Sequence, residues 1–268
     1  MSQCRLDSAL AERGIVASRQ RAKDMILAGH VAVNGKIVLK PSYAVSEEDE
    51  LSVAGGELKY ASRAGLKLER AVQLFGIDIK NKVCADIGAS TGGFTDLMLQ
   101  SGAKKVYAVD VGHGQLVRRL AQDSRVVNME GVSVKQLDRK MFSERIDIMT
   151  ADLSFISLRT SLPYMLSVLE ADAELVCLVK PQFEAGKSAV GKGGIVRHKK
   201  AHIAALNGVC ELAAQLGCKL VGATYSPVKG GDGNIEYLIY GVFNGNPSVC
   251  GIDTDNIVRE AFDALNKK

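Results

Sequence analysis

The sequence predicts an α/β protein: a mostly parallel sheet covered by helices on both faces, preceded by a small α+β unit. Three observations carry that expectation. From Tyr60 onward, apolar strand-like runs alternate with helical stretches. A Gly/Ser/Thr-rich loop, DIGASTGGF, follows the first of those runs, where such folds bind ligands. Residues 1–59 lack this rhythm and read as two short helices and several short strands.

In the first unit, residues 5–13 and 18–28 have amphipathic helical spacing, with Leu6, Ala9 and Leu10 on one face and Ala22, Met25 and Ile26 on the other helix's face. Gly14 ends the first helix and Ser18 caps the second. HVAVNGKIV places two strands around Asn34-Gly35, a strong hairpin signal. An acidic turn over residues 46–50 leads to a last strand, LSVA, and the unit closes near Gly55-Gly56.

In the second unit, residues 60–268, strands are predicted over KVCADIG, KVYAVDV, RVVNME, IDIMTADLSF, ELVCLVKPQF, KLVGATYS and IEYLIYGVF. Helices are predicted at 64–75, 94–101, 114–121, 158–169, 200–216 and 253–266. The final two strands are joined by a Gly-rich loop with no helix, which predicts an antiparallel hairpin at the edge of a seven-stranded sheet.

An apolar content of 47% over 268 residues suits a globular protein with a sizeable core. No apolar run reaches the roughly eighteen residues that a membrane span needs, and the N-terminus carries charges where a signal peptide would be apolar. A cytoplasmic location is expected. The six cysteines form no CxxC pair, so neither a disulfide framework nor a metal site is expected. The spacing of His198, His202 and Cys210 matches no ligand pattern, and the two histidines read as exposed positions on a basic helix. The net charge is only +4, but it is unevenly placed. Residues 1–40 hold seven Lys/Arg against three acids, and residues 185–210 hold five against none. Two separated basic surfaces point to a polyanion.

The loop after Asp86 fits neither common phosphate motif. It has no lysine for a P-loop, and Gly88 is followed by Ala89 and Ser90, which breaks the G-x-G-x-x-G pattern. The later Gly186-Lys187-Ser188 has Pro181 where a P-loop needs its first glycine. Asp110 closes the next strand, where an acid can accept both hydroxyls of a ribose. Asp86 suits an ammonium or sulfonium better than a pyrophosphate. S-adenosylmethionine has those features and no phosphate, so Asp86, Gly88, Ser90, Thr91, Gly92, Gly93, Phe94 and Asp110 are read as its site.

Four further charged residues sit at strand ends or on the adjoining helix: Lys67 in SRAGLKLE, Asp152 in TADLSF, Lys180 in LVKPQFE and Glu236 in GNIEYLIY. A charge within an apolar strand is costly unless it is paired or functional. Lys180 is read as a base for a ribose 2′-hydroxyl, tuned by Lys67, with Asp152 and Glu236 holding the two lysines. Alignment of the reacting centres supplies the remaining catalysis.

The motifs SRAGLKL, DIGASTGGFTD, VDVGHGQL, ADLSFISL, VKPQFEAGK and GNIEYL together resemble the hemolysin A (TlyA) family of ribosomal RNA 2′-O-methyltransferases. The second unit is similar to the FtsJ-type RNA methyltransferases, a Rossmann-like class I fold. Residues 1–59 resemble the RNA-binding domain of small-subunit ribosomal protein S-four. The resemblance implies a Lys-Asp-Lys-Glu tetrad at Lys67, Asp152, Lys180 and Glu236, with Asp152 also beside the cofactor. It implies cytidine ribose methylation in ribosomal RNA of one or both subunits. Arg5, Arg19, Arg21 and Lys23 would meet RNA phosphates, as would Arg63, Lys187, Lys192 and Arg197, with the loop from Lys187 to Lys200 covering a flipped nucleotide. Two other readings stand beside this one. A membrane-active hemolysin needs a spanning segment or a membrane-inserting amphipathic one, and beyond the two short helices of residues 5–28 the sequence offers neither. A non-catalytic assembly factor has no need of two costly lysines. Oligomeric state is left open.

Overall fold

The computed structural model describes residues 3–16, 18–53, 59–243, 248–249 and 251–266. The chain divides into two units, Met1–Arg63 and Ala64–Lys268. Ala54, Gly55-Gly56 and Leu58, at the expected close of the first unit, lie outside the described residues.

The first unit runs β1 (Cys4–Arg5), α1 (Leu6–Glu12), α2 (Arg19–Leu27), β2 (Val31–Val33), β3 (Lys36–Ile37), β4 (Ala44–Val45) and β5 (Leu51–Val53). The two helices pack their apolar faces together, and Leu6, Leu10, Ala22, Ile26, Val31 and Val45 have no exposed surface. The Ser18 hydroxyl accepts from Arg21 N at 3.2 Å, the expected cap. Asn34 and Gly35 both have positive φ, as a two-residue hairpin turn requires. β2 is central to a three-stranded antiparallel sheet, between β3 and β5. β1 pairs with β4, a short ladder that the sequence did not announce.

The second unit begins with α3 (Ala64–Phe75) and continues β6 (Val83–Ile87), α4 (Gly93–Gln100), β7 (Lys105–Asp110), α5 (Arg118–Ala121), β8 (Val126–Glu130), β9 (Ile148–Ala151), α6 (Leu158–Leu166), β10 (Ala173–Val179) and α7 (Pro181–Glu184). It ends with α8 (Lys199–Gln215), β11 (Cys218–Tyr225), β12 (Tyr237–Phe243), β13 (Ser248–Val249) and α9 (Thr254–Leu265). The sheet order is β13-β11-β12-β10-β9-β6-β7-β8. β6 is buried at every position, as a parallel strand covered on both faces must be.

Two expectations are extended and two are corrected here. The seven strands form, but β13 adds a two-residue eighth beside β11. The last hairpin is antiparallel and lies at one end of the sheet as expected, with β12 as its inner strand, between β10 and β11. Its Tyr237, Leu238 and Ile239 are fully buried, a central-strand pattern. The helix expected at 114–121 is only Arg118–Ala121, because Gly114 N, Gln115 N and Leu116 N donate to the Glu130 carboxylate at 2.8, 2.8 and 3.1 Å. His202 is fully buried, not exposed: its ring meets Val196 O at 2.9 Å and the Tyr237 hydroxyl at 2.9 Å. It occupies the apolar stripe of α8 with Ala205, Leu206 and Val209.

Candidate active site

Strand register assembles the site. Val179 pairs with Tyr237, so Lys180 and Glu236 leave the sheet side by side. Ile87 pairs with both Ala151 and Val109, which sets Gly88 beside Asp152 and Asp110. β12 runs against its neighbours, so its first residues share an edge with the last residues of β6, β7, β9 and β10. α3 lies against β12, with Phe75 stacked on Tyr240 at 5.3 Å, and it turns Lys67 toward the same edge.

The four tetrad residues meet in one ionic chain. Glu236 Oε2 lies 2.7 Å from Lys67 Nζ, which is 3.6 Å from Asp152 Oδ2. Asp152 Oδ1 lies 2.6 Å from Lys180 Nζ, which also donates to Ser154 Oγ at 2.8 Å. Lys67, Lys180 and Glu236 are 8, 6 and 2% exposed. Such burial is sustained because every charge has an opposite neighbour. Burial pushes the Asp152 carboxyl upward, but Lys67 and Lys180 outweigh it and hold the group below the usual carboxylate range.

The glycine loop adjoins this chain. Gly88 has φ +86° and a Cβ there would stand 2.7 Å from Asp152 O. Gly92 has φ +94° and precedes α4, and a Cβ there would strike Leu116 and Leu120. Asp110 Oδ2 accepts from Ser90 N at 2.8 Å and Oδ1 from Gly112 N at 2.7 Å, so each oxygen keeps a second lone pair for a hydroxyl. Ser90 is exposed, Thr91 and Asp110 are half-buried, and Gly92, Gly93 and Phe94 are buried. Residues 88–94 contain no cation that could meet a phosphate.

Asp86 departs from its expected place at the ligand. Its carboxylate is fully buried and accepts from Thr95 N, Thr95 Oγ1 and Thr150 Oγ1 at 2.9, 2.7 and 3.2 Å. It ties α4 to β6 and β9. Burial pushes it up to about 7 despite those hydrogen bonds.

The sequence reading missed the turn after Asp152. Phe155 has φ +64° and is 93% exposed, an unusual state for an aromatic residue. The turn is pinned by Glu184, which accepts from Ser157 Oγ at 2.6 Å and Leu158 N at 2.7 Å. Phe155 and Phe183 pack against each other, ring centroids 5.6 Å apart, and both line a cavity of ≈ 490 Å³ together with Gln182 and Lys187. Gln182 Oε1 is buried with no hydrogen-bond partner among the described residues. The signal was present in the sequence: Ser157 and Glu184 lie in the two motifs that flank the lysine site, ADLSFISL and VKPQFE.

The basic candidates separate into two groups. Asp7, with a side chain 3% exposed, holds Arg5 at 2.9 Å and Arg19 at 3.2 Å, whose guanidinium groups remain near the surface. Arg21 donates to Ala61 O at 3.0 Å, and Lys23 is half-buried. Lys187, Lys192 and Arg197 are exposed on the segment that Asn234 fastens through Val196 N and Gly194 O, at 3.0 and 2.9 Å. Arg63 does not join them. It is drawn inward to Asp24 at 3.4 Å and is 12% exposed, because a carboxylate buried among Ala22, Met25 and Ile26 requires a counter-charge.

Among the described residues no cluster of three His, Cys, Asp or Glu side chains could hold a metal, and no helix is long and apolar enough to cross a membrane. Comparison with known proteins matches residues 60–243 to the FtsJ-like methyltransferase family and residues 4–51 to the S4 domain. Hemolysin A of Brachyspira hyodysenteriae is 46% identical over 88% of this chain and 98% of its own. The 16S/23S rRNA (cytidine-2′-O)-methyltransferase TlyA of Mycobacterium tuberculosis is 42% identical over 89% of each. A solved structure of a candidate hemolysin from Streptococcus thermophilus superposes with a TM-score of 0.80 at 40% identity, over 98% of this chain and 97% of that one. The chain belongs to the hemolysin A (TlyA) family of FtsJ-like methyltransferases that carry an S4 domain.

Proposed function

We propose that this protein transfers a methyl group from S-adenosylmethionine to the ribose 2′-hydroxyl of a cytidine in ribosomal RNA, within one or both ribosomal subunits, in the cytoplasm. The observation that carries this reading is the buried Lys67–Glu236 and Asp152–Lys180 chain beside the glycine loop. The substrate class follows the relative from M. tuberculosis, whose name specifies it.

The residues present fit the cofactor. Gly88 to Phe94 provide a cation-free cradle, and Asp110 can accept two ribose hydroxyls. When bound, S-adenosylmethionine supplies a methyl group already activated by its sulfonium. What the protein adds is alignment and a proton acceptor. In this reading Lys180 takes the 2′-hydroxyl proton, Asp152 holds Lys180 in place, and Lys67 is held by Glu236 to orient the ribose. The cavity that Phe155 and Phe183 line suits an unstacked base, and the orphaned Gln182 Oε1 suits an exocyclic amine such as that of cytosine. Residues 1–59 would hold the RNA through Arg5, Arg19, Arg21 and Lys23, and residues 60–268 would carry the chemistry, with Lys187, Lys192 and Arg197 on phosphates.

The test is methyl transfer from labelled S-adenosylmethionine to separated small subunits, large subunits and naked ribosomal RNA. Label on ribose in at least one of them is expected. Cofactor binding without label on any would favour a non-catalytic RNA-binding role.

A further inference from the structure

We infer that Ser154 is a positioning residue that aims the lone pair of Lys180 at the ribose hydroxyl; this rests on the proposed role of Lys180 as base. A lysine that is to accept a proton must first be neutral. Its amine then has two N–H groups and one lone pair, and free rotation about Cε–Nζ would point that pair in three directions, of which one is useful.

Two fixed acceptors remove that freedom. Asp152 Oδ1 lies 2.6 Å from Lys180 Nζ and Ser154 Oγ lies 2.8 Å from it. Both N–H groups are thereby used. The remaining direction belongs to the lone pair, on a nitrogen that stands 6.0 Å from the centroid of the Phe183 ring, part of the cavity wall. Ser154 is itself held in place. It lies between Asp152, at the end of β9, and Phe155, whose positive φ reverses the chain, and Glu184 fastens the far side of the turn through Ser157 and Leu158. The proton balance is then simple. The 2′-O–H bond breaks and its proton goes to the Lys180 lone pair, making an ammonium with a third N–H. The oxygen takes the methyl carbon while the C–S electron pair returns to sulfur.

Asp152 alone cannot set this geometry. One acceptor fixes one N–H and leaves the lone pair two positions, with water free to compete at the other. Ser154 is exposed, so it has room for one added methyl group, and threonine keeps its hydroxyl.

The experiment is a double-mutant cycle on methyl transfer with ribosomal subunits and the full chain. Ser154→Ala is expected to lower kcat about tenfold to a hundredfold while KM for cofactor and RNA changes less than about twofold. Ser154→Thr is expected to recover to within about fivefold of the unmutated enzyme. In a Lys180→Ala background, Ser154→Ala should cost nothing more. A full-sized loss from Ser154→Ala in that background, a change in KM alone, or unchanged kcat in the single variant would overturn the proposal. If Lys180→Ala itself retains full activity, the role of Lys180 as base fails first, and the cycle shows which of the two ideas was wrong.

Discussion

Lys67 Nζ stands 2.7 Å from Glu236 Oε2, although 169 positions separate the two residues. Both are almost fully buried, so removing either breaks a buried ion pair, at a cost of about 3–5 kcal/mol, and the contact that Lys67 keeps to Asp152 places Glu236→Ala at the low end of that range. Glu236→Ala is expected to lower stability by about 3 kcal/mol and to abolish turnover. The double variant Lys67→Met/Glu236→Leu is expected to regain most of the stability and none of the activity. Urea denaturation and methyl transfer, run on the same samples, check both halves.

Asp86 makes stability depend on pH. An unfolded aspartate titrates near 3.9, whereas burial pushes this one up to about 7 in the folded protein. Between those values the unfolded chain has released a proton that the folded chain retains. Its contribution therefore falls as pH rises from about 4 to about 7 and is level above that. Asp86→Asn keeps a carbonyl for Thr95 and removes the titration. The difference between the unfolding curves of the variant and the unmutated protein should grow in the variant's favour across that window. A constant difference would contradict the account.

The glycine loop gives a graded pair. Gly88→Ala places a methyl group 2.7 Å from the backbone oxygen of Asp152, which cannot move without shifting β9. Gly92→Ala meets only the ends of the Leu116 and Leu120 side chains, although both glycines have positive φ. Calorimetric titration with S-adenosylhomocysteine is expected to show about tenfold or greater weakening for Gly88→Ala and a smaller loss for Gly92→Ala. Equal affinity in all three proteins would remove the loop from the cofactor site.

Phosphate contacts are read from salt dependence. Replacing Lys187, Lys192 and Arg197 together by glutamine should reduce the slope of log KM for ribosomal subunits against log salt by about 2. Arg63→Gln should leave that slope unchanged and lower stability instead, because Arg63 is committed to Asp24. A slope change from Arg63→Gln would restore it to the RNA surface.

The strands of the second unit and the tetrad positions were legible because a charged residue beside an apolar strand is conspicuous in one dimension. Lys180 in LVCLVKPQF and Glu236 in GNIEYLIY stand out for that reason. Their pairing was not legible from strand content alone, since it depends on β12 running antiparallel between β10 and β11. Residues whose role is set by a remote partner were misjudged or unseen. Asp86 turns to Thr95 and Thr150, Arg63 turns to Asp24, and the segment before α5 stays non-helical because Glu130 takes its amides. His202 could have been placed correctly, since it falls on the same helical stripe as Ala205, Leu206 and Val209. Phe155 is less legible: its exposure goes with a positive φ, and only Ser157 and Glu184, in the two flanking motifs, point to a fastened turn there.

The central claim is that Lys180 acts on a ribose hydroxyl and not in binding. The most direct measurement is nucleoside mass spectrometry of ribosomal RNA after reaction with the unmutated protein and with Lys180→Ala, alongside S-adenosylhomocysteine affinity for each. The account predicts 2′-O-methylcytidine with the unmutated protein, at least about a hundredfold less with Lys180→Ala, and cofactor affinity within about threefold. A methyl group on a base, or undiminished 2′-O-methylcytidine from Lys180→Ala, would contradict it.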